Sequence, residues 1–326
     1  VALVAAVALS SFDLDKRKMS SAVYRYGDFL PPTAEVTFYR DGKTATVSTV
    51  QIDGTLTIRT NGKPDAGVEM KSDKRISSDE PTMVLAGLLP LTFHPEARTF
   101  ANIGFGSGLT THAVLANPSV VLVDSIEIER MMIEGARQFG RKNERAYSDP
   151  RSRIHIDDAK TFFASRGTKY DVIVSEPSNP WVSGVATLFS EEFYAQVSRY
   201  LKDDGLLIQW IQVYEIDFEL VASIFKALGK GFGDYVVFTT NEKALLIVAT
   251  KASRLPPMDG RALGHPNISG MLASVGVHGL RDLENMRIGT RRTLEPLFRA
   301  GRVPANSDYF PVVDVNAPRL RFRNAS

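Results

Sequence analysis

The chain has 326 residues, a length that allows one large domain or two smaller ones. Its hydrophobic fraction of 44%, charged fraction of 23% and net charge of +2 are ordinary for a globular protein, and no run of five like charges supplies the basic stripe typical of nucleic-acid binding. The chain has no cysteine, which excludes disulfides, thiol catalysis and cysteine-ligated metals. Its five histidines form no HExxH-type pair, so we expect no metal site. From the charge pattern we expect no nucleic-acid partner.

The first residues, 1–9, form an unbroken apolar run. Such a run is too short to span a bilayer, which takes about 20 residues, and no basic region precedes it as in a signal peptide. We interpret residues 1–11 as the remnant of a membrane segment, with a short buried helix or strand as the alternative. The basic residues Lys16, Arg17 and Lys18 favour the cytoplasmic side, so we expect the protein to lie at the cytoplasmic face of a membrane.

Three segments rich in β-branched and aromatic residues follow, at 35–40, 44–50 and 55–60. The dipeptides Asp41-Gly42, Asp53-Gly54 and Asn61-Gly62 separate or follow them, and such dipeptides supply the positive φ that tight hairpins need. We therefore predict a small antiparallel β-hairpin lobe within residues 12–78.

From Thr99 onwards, apolar strands alternate with amphipathic segments, a pattern typical of a parallel sheet covered on both faces. Helical spacing is carried by Ile128, Met132, Ala136 and Phe139, and again by Phe193, Val197 and Leu201. The predicted strands are TFANI, VVLVDSIE, RIHI, YDVIVSE and GLLIQWIQV, followed by YVVFTT and ALLIVAT as an antiparallel pair. For residues 79–326 we predict an α/β, Rossmann-like, mostly parallel seven-stranded sheet, ending in a helical region and a tail.

A glycine-rich turn follows the first of these strands. Gly104, Gly106, Ser107 and Gly108 form a GxGxG pattern that lets the backbone approach a ligand, although a plain tight turn is the alternative. Glu127 ends the next strand and can accept hydrogen bonds from both hydroxyls of a ribose. Glu129 is the near neighbour, and we favour Glu127 as the residue that binds the ribose.

Two aspartates follow the third strand. Asp157 or Asp158 can accept a hydrogen bond from the exocyclic amine of an adenine, and the other can cap the next helix. Together with the glycine turn and Glu127, these residues predict an adenosyl ligand.

From about Phe12 onwards, the sequence resembles the spermidine synthase (polyamine aminopropyltransferase) family. The segments that carry the resemblance run in family order: IGFGSG, SIEIE, DPRSRIHIDDAKTFF, YDVIVSEPSNP and LFSEEFYAQVSRYLKDDGLLIQW. The segments MSSAVYRYG, RTNGKPDA, SEPSNPWVSGVATLF and NSDYFPVVDVNAPR are similar to the subgroup in which such a domain follows membrane helices.

The resemblance implies aminopropyl transfer. Decarboxylated S-adenosylmethionine would be the donor, a putrescine-like amine would attack the carbon next to the sulfonium, and methylthioadenosine would leave. The family carries its general base in the loop after the fourth strand, and Glu176 is the candidate here. Desolvation at the end of a buried strand should raise the pKa of Glu176 above its usual value of about 4.3, although capping of the loop is an alternative role.

Other residues near the predicted strand ends are candidates for substrate contacts. Asn179 lies in the same loop as Glu176, and Trp181 suits either a cation–π contact with the sulfonium or a hydrophobic plug. Tyr214 and Gln209 are candidates for the pocket wall, with core packing as the alternative. Asp308 in the tail is a candidate for an acid that reaches back over the site.

The chain departs from the family pattern at several of these positions. Family members usually carry aspartates where Ser107, Glu176 and Asn179 stand, and a tyrosine–histidine pair where Thr82 and Met83 stand. Carboxylates hold dicationic substrates by charge, whereas the amide of Asn179 offers only a hydrogen bond. Ser107 does not oppose a carboxylate, so intact S-adenosylmethionine becomes an alternative donor.

These departures leave other functions open. A lyase or cyclase would release methylthioadenosine from S-adenosylmethionine without an acceptor. A non-catalytic domain of a membrane protein that senses an adenosyl ligand, and a methyltransferase, are further alternatives. The family resemblance also implies a homo-oligomer, either a dimer or a tetramer.

Overall fold

The computed structural model of the protein describes residues 14–321. Its first part is a four-stranded antiparallel sheet with the strands in chain order. The elements are the short helices α1 Lys16–Met19 and α2 Val23–Tyr26 and the strands β1 Glu35–Asp41, β2 Thr46–Ile52, β3 Thr55–Thr60 and β4 Lys63–Glu69. We call the two helices and this sheet the N-terminal lobe.

The turns of the lobe follow the predicted chemistry at two of three places. Asp53 and Gly54 have φ values of 52° and 109°, and Asn61-Gly62 also lies in the left-handed region. The prediction of a positive φ at Asp41-Gly42 is wrong. The connection between β1 and β2 has four residues instead of two, and the amide of Gly42 donates to the carbonyl of Ala45 across it.

The fourth strand of the lobe was not predicted. Pro64, Asp65 and Gly67 lie inside β4, and all three residue types are depleted in strands. The pairing of β4 with β3 is irregular, because Pro64 and Ala66 have partners in β3 while the register skips Asp65. This β-bulge gives β4 one residue more than its partner strand.

The larger part of the chain is built on an eight-stranded sheet in the order β12-β10-β11-β9-β8-β5-β6-β7. The strands are β5 Thr99–Ile103, β6 Leu122–Glu127, β7 Ser152–Ile156, β8 Tyr170–Ser175, β9 Leu201–Gln212, β10 Asp234–Asn241, β11 Ala244–Thr250 and β12 Arg287–Thr290. Strands β5 to β9 are parallel, and β10 to β12 are antiparallel to their neighbours. The predicted Rossmann-like α/β fold is therefore confirmed, with β12 added at one edge.

Helices cover both faces of this sheet. They are α3 Glu80–Leu88, α4 Leu109–Val114, α5 Arg130–Ala136, α6 Glu144–Ser148, α7 Ala159–Ala164, α8 Glu191–Arg199, α9 Phe218–Gly231, α10 Pro266–Ser274, α11 Leu280–Met286, α12 Arg291–Arg299 and α13 Val312–Leu320. One core joins the N-terminal lobe, α3 to α6, α10 and α11 to the first face. The second core packs α7 to α9, α12 and α13 on the other face.

The predicted helical patterns hold only in part. Met132 and Ala136 are buried in α5, and Phe139 is buried just after it. Ile128 does not belong to the helix. It lies in the connection between the end of β6 at Glu127 and the start of α5 at Arg130, and it is 53% exposed. Leu201, assigned to the second helical pattern, is instead the first residue of β9.

Strand order brings the predicted site residues to one edge. From β5 the chain adds β6 and β7 on one side and then returns to place β8 on the other side. The carboxyl ends of β5 and β8 therefore flank the point where the strand order reverses, which is where such sheets bind ligands.

The interpretation of residues 1–11 as a membrane remnant lies outside the described residues. Between Leu14 and Arg321, every helix falls short of the length and apolar character that a bilayer crossing needs.

Glu129 ties the N-terminal lobe to the large sheet. Its carboxylate caps α5 by accepting from the amide of Met131 at 2.9 Å, and it accepts from the amide and hydroxyl of Thr44 and the amide of Ala45. Burial raises the pKa of Glu129, but these hydrogen bonds outweigh burial, so the pKa is lowered.

We expect Glu129→Ala to destabilise the fold by about 2–4 kcal/mol, because four donors lose their acceptor. Thermal and urea unfolding would measure this loss. Since the folded-state pKa is lowered, the contribution is present above the unfolded-state pKa and is lost as the pH falls through the folded value. The matched control is Glu134→Ala, an exposed glutamate on α5. Equal stability of the two variants would contradict this role.

Candidate active site

The glycine turn connects β5 to α4 at the carboxyl edge of the sheet. Gly104 has a φ of +88°, and a Cβ atom there would lie 2.4 Å from the carbonyl oxygen of Glu176. Gly106 and Gly108 also have positive φ, and Gly108 precedes the first turn of α4. The turn therefore lies directly against the loop that follows β8.

Glu127 lies beside this turn, at the end of β6. One carboxylate oxygen accepts from the amide of Phe105 at 3.0 Å, and the other accepts from the amide of Glu129 at 2.9 Å. Burial raises the pKa of Glu127 to about 7; the two amides lower it, and the charges of Asp65 and Glu129 raise it. Each oxygen keeps a lone pair, so the carboxylate can also accept from the hydroxyls of a ribose.

Asp157 and Asp158 follow β7 at the same edge. Asp158 caps α7 by accepting from the amide of Thr161 through Oδ1, and Asp157 accepts from the amide of Asp158 through its own Oδ1. The predicted helix cap is thus Asp158. Each aspartate has a second oxygen available, so the assignment of the adenine amine to one of them stays a prediction.

Glu176 follows β8 and is partly exposed. Its Oε2 lies 2.6 Å from the hydroxyl of Thr110 in α4, and the same hydroxyl lies 3.1 Å from the carbonyl oxygen of Met83. Burial raises the pKa of Glu176 to about 7, and the hydrogen bond from Thr110 opposes this rise. The raised pKa agrees with the sequence argument.

Thr110 has one hydroxyl proton and faces two acceptors. When Glu176 is ionised, that proton can serve the carboxylate or the carbonyl of Met83 but not both. When Glu176 is protonated, it can donate to the hydroxyl of Thr110, which then donates to Met83. The network therefore accommodates a proton on Glu176 without leaving an acceptor unpaired.

Asn179 is buried, and the oxygen and the nitrogen of its amide each have a hydrogen-bond partner. Its Oδ1 accepts from the ammonium of Lys63 at 2.8 Å, and its Nδ2 donates to the hydroxyl of Tyr214 at 3.0 Å. Lys63 belongs to β4 of the N-terminal lobe and also forms an ion pair with Asp65 at 2.5 Å. Asn179 and Tyr214 are thus in contact, and the cation that Asn179 holds belongs to the protein itself; their role in substrate binding stays a prediction.

Trp181 is surrounded by side-chain cations. The guanidinium groups of Arg25 and Arg321 lie 5.5 Å and 4.3 Å from its ring centre, and the ammonium of Lys63 lies 5.7 Å from it. The indole N–H donates to Glu215 at 3.1 Å. These contacts hold Trp181 between the N-terminal lobe and the tail, and the cations beside it are the protein's own.

The remaining candidates occupy different places. Gln209 is fully buried and donates to the carbonyls of Ser175 and Trp210, which agrees with the core-packing alternative. Asp308 forms an ion pair at 2.8 Å with Lys160 in α7. The tail therefore reaches the helix that Asp158 caps, and not Glu176.

Among residues 14–321, His94, Asp171 and Asp204 form the group of side chains with metal-ligand spacing. Asp171 stands at the start of β8, away from Glu176, and its carboxylate already pairs with Lys202 at 2.9 Å. The expectation that the protein uses no metal stays a prediction.

Comparison of the sequence with models of known protein families identifies the family of this chain. The family model described as the spermine/spermidine synthase domain matches residues 84–248, just over half of the chain. The chain belongs to this family.

Relatives in the spermine/spermidine synthase family match about half of the chain. The polyamine aminopropyltransferase of Bacillus mycoides is 29% identical over 153 residues, which are 47% of this chain and 55% of that protein. The polyamine aminopropyltransferase of Methanocaldococcus jannaschii is 31% identical over 140 residues, 43% of this chain and 47% of that protein. The chain thus spans about half the length of the curated relatives it matches.

Solved structures support the fold. The spermidine synthase from Thermotoga maritima matches with a TM-score of 0.57 at 21% identity, covering 74% of this chain and 84% of that one. A spermidine synthase in complex with the transition state analogue AdoDATO gives a TM-score of 0.60 at 20% identity, covering 74% of this chain and 85% of that one. These comparisons give no support to the subgroup fused to membrane helices.

Two departures from the family pattern lie in contact with each other. Ser107 is buried, and its hydroxyl lies 3.1 Å from the sulfur of Met83. Thr82, which precedes Met83, lies 2.5 Å from the hydroxyl of Thr240. Neutral contacts therefore replace the aspartate and the tyrosine–histidine pair that the family usually carries at these positions.

The structure adds three residues that the sequence did not identify. Lys63 and Asp65 come from the unpredicted strand β4, so no pattern placed them near Glu176. Gln212 is fully buried at the end of β9, and neither atom of its amide has a hydrogen-bond partner within residues 14–321. Strand alternation places Gln212 on the same face as Ile208, in the core that contains α3 and α4.

We expect Glu127→Gln to weaken the binding of methylthioadenosine by about 10- to 100-fold, because a hydrogen bond to a charged acceptor contributes about 1.5–3 kcal/mol. Isothermal titration calorimetry would measure the affinity. Glu144→Gln, at an exposed position in α6, is the matched control and should bind like the wild type. Unchanged affinity in a folded Glu127→Gln variant would remove Glu127 from the site.

Proposed function

We propose that the protein transfers the aminopropyl group of decarboxylated S-adenosylmethionine to an amine and releases methylthioadenosine. The observation that carries this proposal is the position of Glu176: its backbone carbonyl lies against Gly104 of the glycine turn, and its partly exposed carboxylate, whose pKa is raised, accepts from Thr110 in the helix after that turn. Membership of the spermine/spermidine synthase family supports the same reaction.

In this proposal Glu176 acts as the general base. The amine attacks the methylene carbon attached to the sulfonium, a C–N bond forms, and the C–S bond breaks with its electron pair passing to sulfur. The attacking nitrogen loses a proton to Glu176, and the sulfur becomes the neutral thioether of methylthioadenosine. A pKa of about 7 suits a base that accepts and then releases a proton near neutral pH.

The donor would lie across the carboxyl ends of β5, β6 and β7. Glu127 would accept from the ribose hydroxyls, and Asp157 or Asp158 would accept from the adenine amine. The backbone of Gly104, Gly106 and Ser107 would pass beside the sulfonium end of the donor. In this arrangement the acceptor would bind on the side of Glu176 that faces Asn179.

A second candidate function is the release of methylthioadenosine from intact S-adenosylmethionine by a lyase or cyclase reaction. Two observations favour it. The neutral contact of Ser107 with Met83 does not oppose the carboxylate of intact S-adenosylmethionine, and the oxygen of Asn179 already accepts from Lys63.

We also propose that the protein works at the cytoplasmic face of a membrane and assembles into a homodimer or homotetramer. The support for the location is the apolar run at residues 1–9 and the basic residues after it. The support for assembly is the family resemblance. Membrane fractionation and light scattering would test these two statements.

Four mixtures separate the candidate functions: each of the two donors, intact or decarboxylated S-adenosylmethionine, with and without an amine. We expect methylthioadenosine only from the decarboxylated donor in the presence of an amine, and chromatography would quantify it. Product from intact S-adenosylmethionine alone would replace the proposal with the lyase or cyclase. Tight binding of methylthioadenosine without turnover in any mixture would favour a sensing domain.

We expect Glu176→Gln to lower kcat by about 10²- to 10⁴-fold, the usual contribution of a general base. In the wild type, kcat at saturating donor should rise with pH and level off above about 7, because the ionised form of Glu176 is the base. Glu176→Asp restores the usual acid of the family and should keep much of the activity. A Glu176→Gln variant with an unchanged pH profile would exclude the role of base.

A further inference from the structure

Lys63 places a buried ammonium group at the acceptor end of the candidate site. Its side chain is only 3% exposed, although lysine is almost never fully buried without a partner. The ammonium donates to Asp65 at 2.5 Å, to Asn179 at 2.8 Å and to the carbonyl of Pro64 at 3.2 Å. All three protons of the group therefore have acceptors within the protein.

The partners of Lys63 are those that would hold a substrate ammonium. Asn179 stands three residues after Glu176 in the same loop. Asp65 supplies a carboxylate beside it, positioned by a hydrogen bond from the hydroxyl of Ser178 at 2.8 Å. The ammonium of Lys63 thus occupies the amide oxygen of Asn179 and neutralises the carboxylate of Asp65. A cationic acceptor would otherwise bind to these two groups.

Two further acids lie near this end: burial raises the pKa of Asp79, which favours its neutral form, and Glu215 is matched by a cation. Glu215 forms an ion pair with Arg25 at 3.0 Å and accepts from Trp181. Of the two oxygens of Asp65, the second is buried and has no hydrogen-bond partner within the described range 14–321. Since Lys63 already balances the charge of Asp65, that oxygen offers a hydrogen bond but no net negative charge.

We propose that Lys63 determines the acceptor class: by occupying Asn179 and neutralising Asp65, it excludes a second ammonium, so the acceptor is a primary monoamine with an uncharged tail. This inference rests on the proposed aminopropyl transfer. In this proposal the attacking amine meets Glu176, and the two acids beside the remainder of the acceptor, Asp65 and Glu215, are already paired with Lys63 and Arg25. A diamine would place its distal ammonium against that of Lys63, and like charges in a desolvated pocket repel each other.

The test compares n-butylamine with putrescine, which have the same carbon chain and differ by one amine. Isothermal titration calorimetry in the presence of methylthioadenosine measures binding of each amine without turnover, at one pH at which both amines are protonated. We expect the wild type to bind n-butylamine at least about tenfold more tightly than putrescine. Equal binding of the two amines, or binding of neither, would overturn the proposal.

Variants at Lys63 and Asp65 test which group sets the preference between n-butylamine and putrescine. Lys63→Met keeps the length of the side chain and releases Asp65 and Asn179, so the preference should reverse in favour of putrescine. Combined with Asp65→Asn, the same change should not gain putrescine binding, because the released charge is gone. Lys43→Met, at an exposed position in the N-terminal lobe, should bind both amines like the wild type.

Thermal unfolding establishes that each variant is folded, and a folded Lys63→Met variant that still prefers n-butylamine would overturn the proposal. The formation of methylthioadenosine from decarboxylated S-adenosylmethionine is measured separately with each amine. No product with either amine would contradict aminopropyl transfer, while the ratio of the two binding constants would still decide the role of Lys63.

Discussion

The candidate site depends on the close contact between Gly104 and the backbone of Glu176. The carbonyl oxygen of Glu176 lies where any side chain at position 104 would begin, and the amide of Glu176 donates to Ile103 at 3.0 Å. The turn proposed to hold the donor and the residue proposed to accept the proton are therefore joined through backbone atoms. This contact fixes the backbone of the loop at the edge of the sheet, and the hydrogen bond from Thr110 holds the carboxylate of Glu176.

Charge in this pocket is distributed differently from the family pattern. Glu127 and Glu176 are both carboxyl groups whose pKa burial raises to about 7, and the structure gives neither an ion-pair partner within residues 14–321. The cations near the acceptor end, Lys63 and Arg25, are instead paired with Asp65 and Glu215. A sulfonium ligand would thus meet the two carboxyl groups that gain most from a positive neighbour, and its binding would favour their ionised forms.

The sequence was most informative where one local pattern determines position. The glycine turn, Glu127, Asp158 and Glu176 each follow a strongly apolar strand, and parallel strands bring their carboxyl ends to one edge. A helix cap at one of the two aspartates and the raised pKa of Glu176 could both be predicted for this reason.

The residues that the sequence missed lie where tertiary contacts override local preference. Strand β4 contains proline, aspartate and glycine, so its pairing depends on the neighbouring strand and not on propensity. The edge strand β12 has only four residues and is flanked by helices, which concealed it. The contact of Ser107 with Met83 joins two distant segments, and no single segment could indicate it.

The bulge in β4 connects the length of this strand to the charge near Asn179, because the extra residue is the acidic Asp65. Asp65 is the residue that the register with β3 skips, so a hairpin arm of regular length would lack the carboxylate that pairs with Lys63. Surface hairpins tolerate insertions and deletions, and β4 belongs to a different sheet from the strand that precedes Glu176. Under the proposed role of Lys63, a one-residue change in this accessory hairpin would therefore alter the charge that meets the acceptor without altering the strand that precedes Glu176.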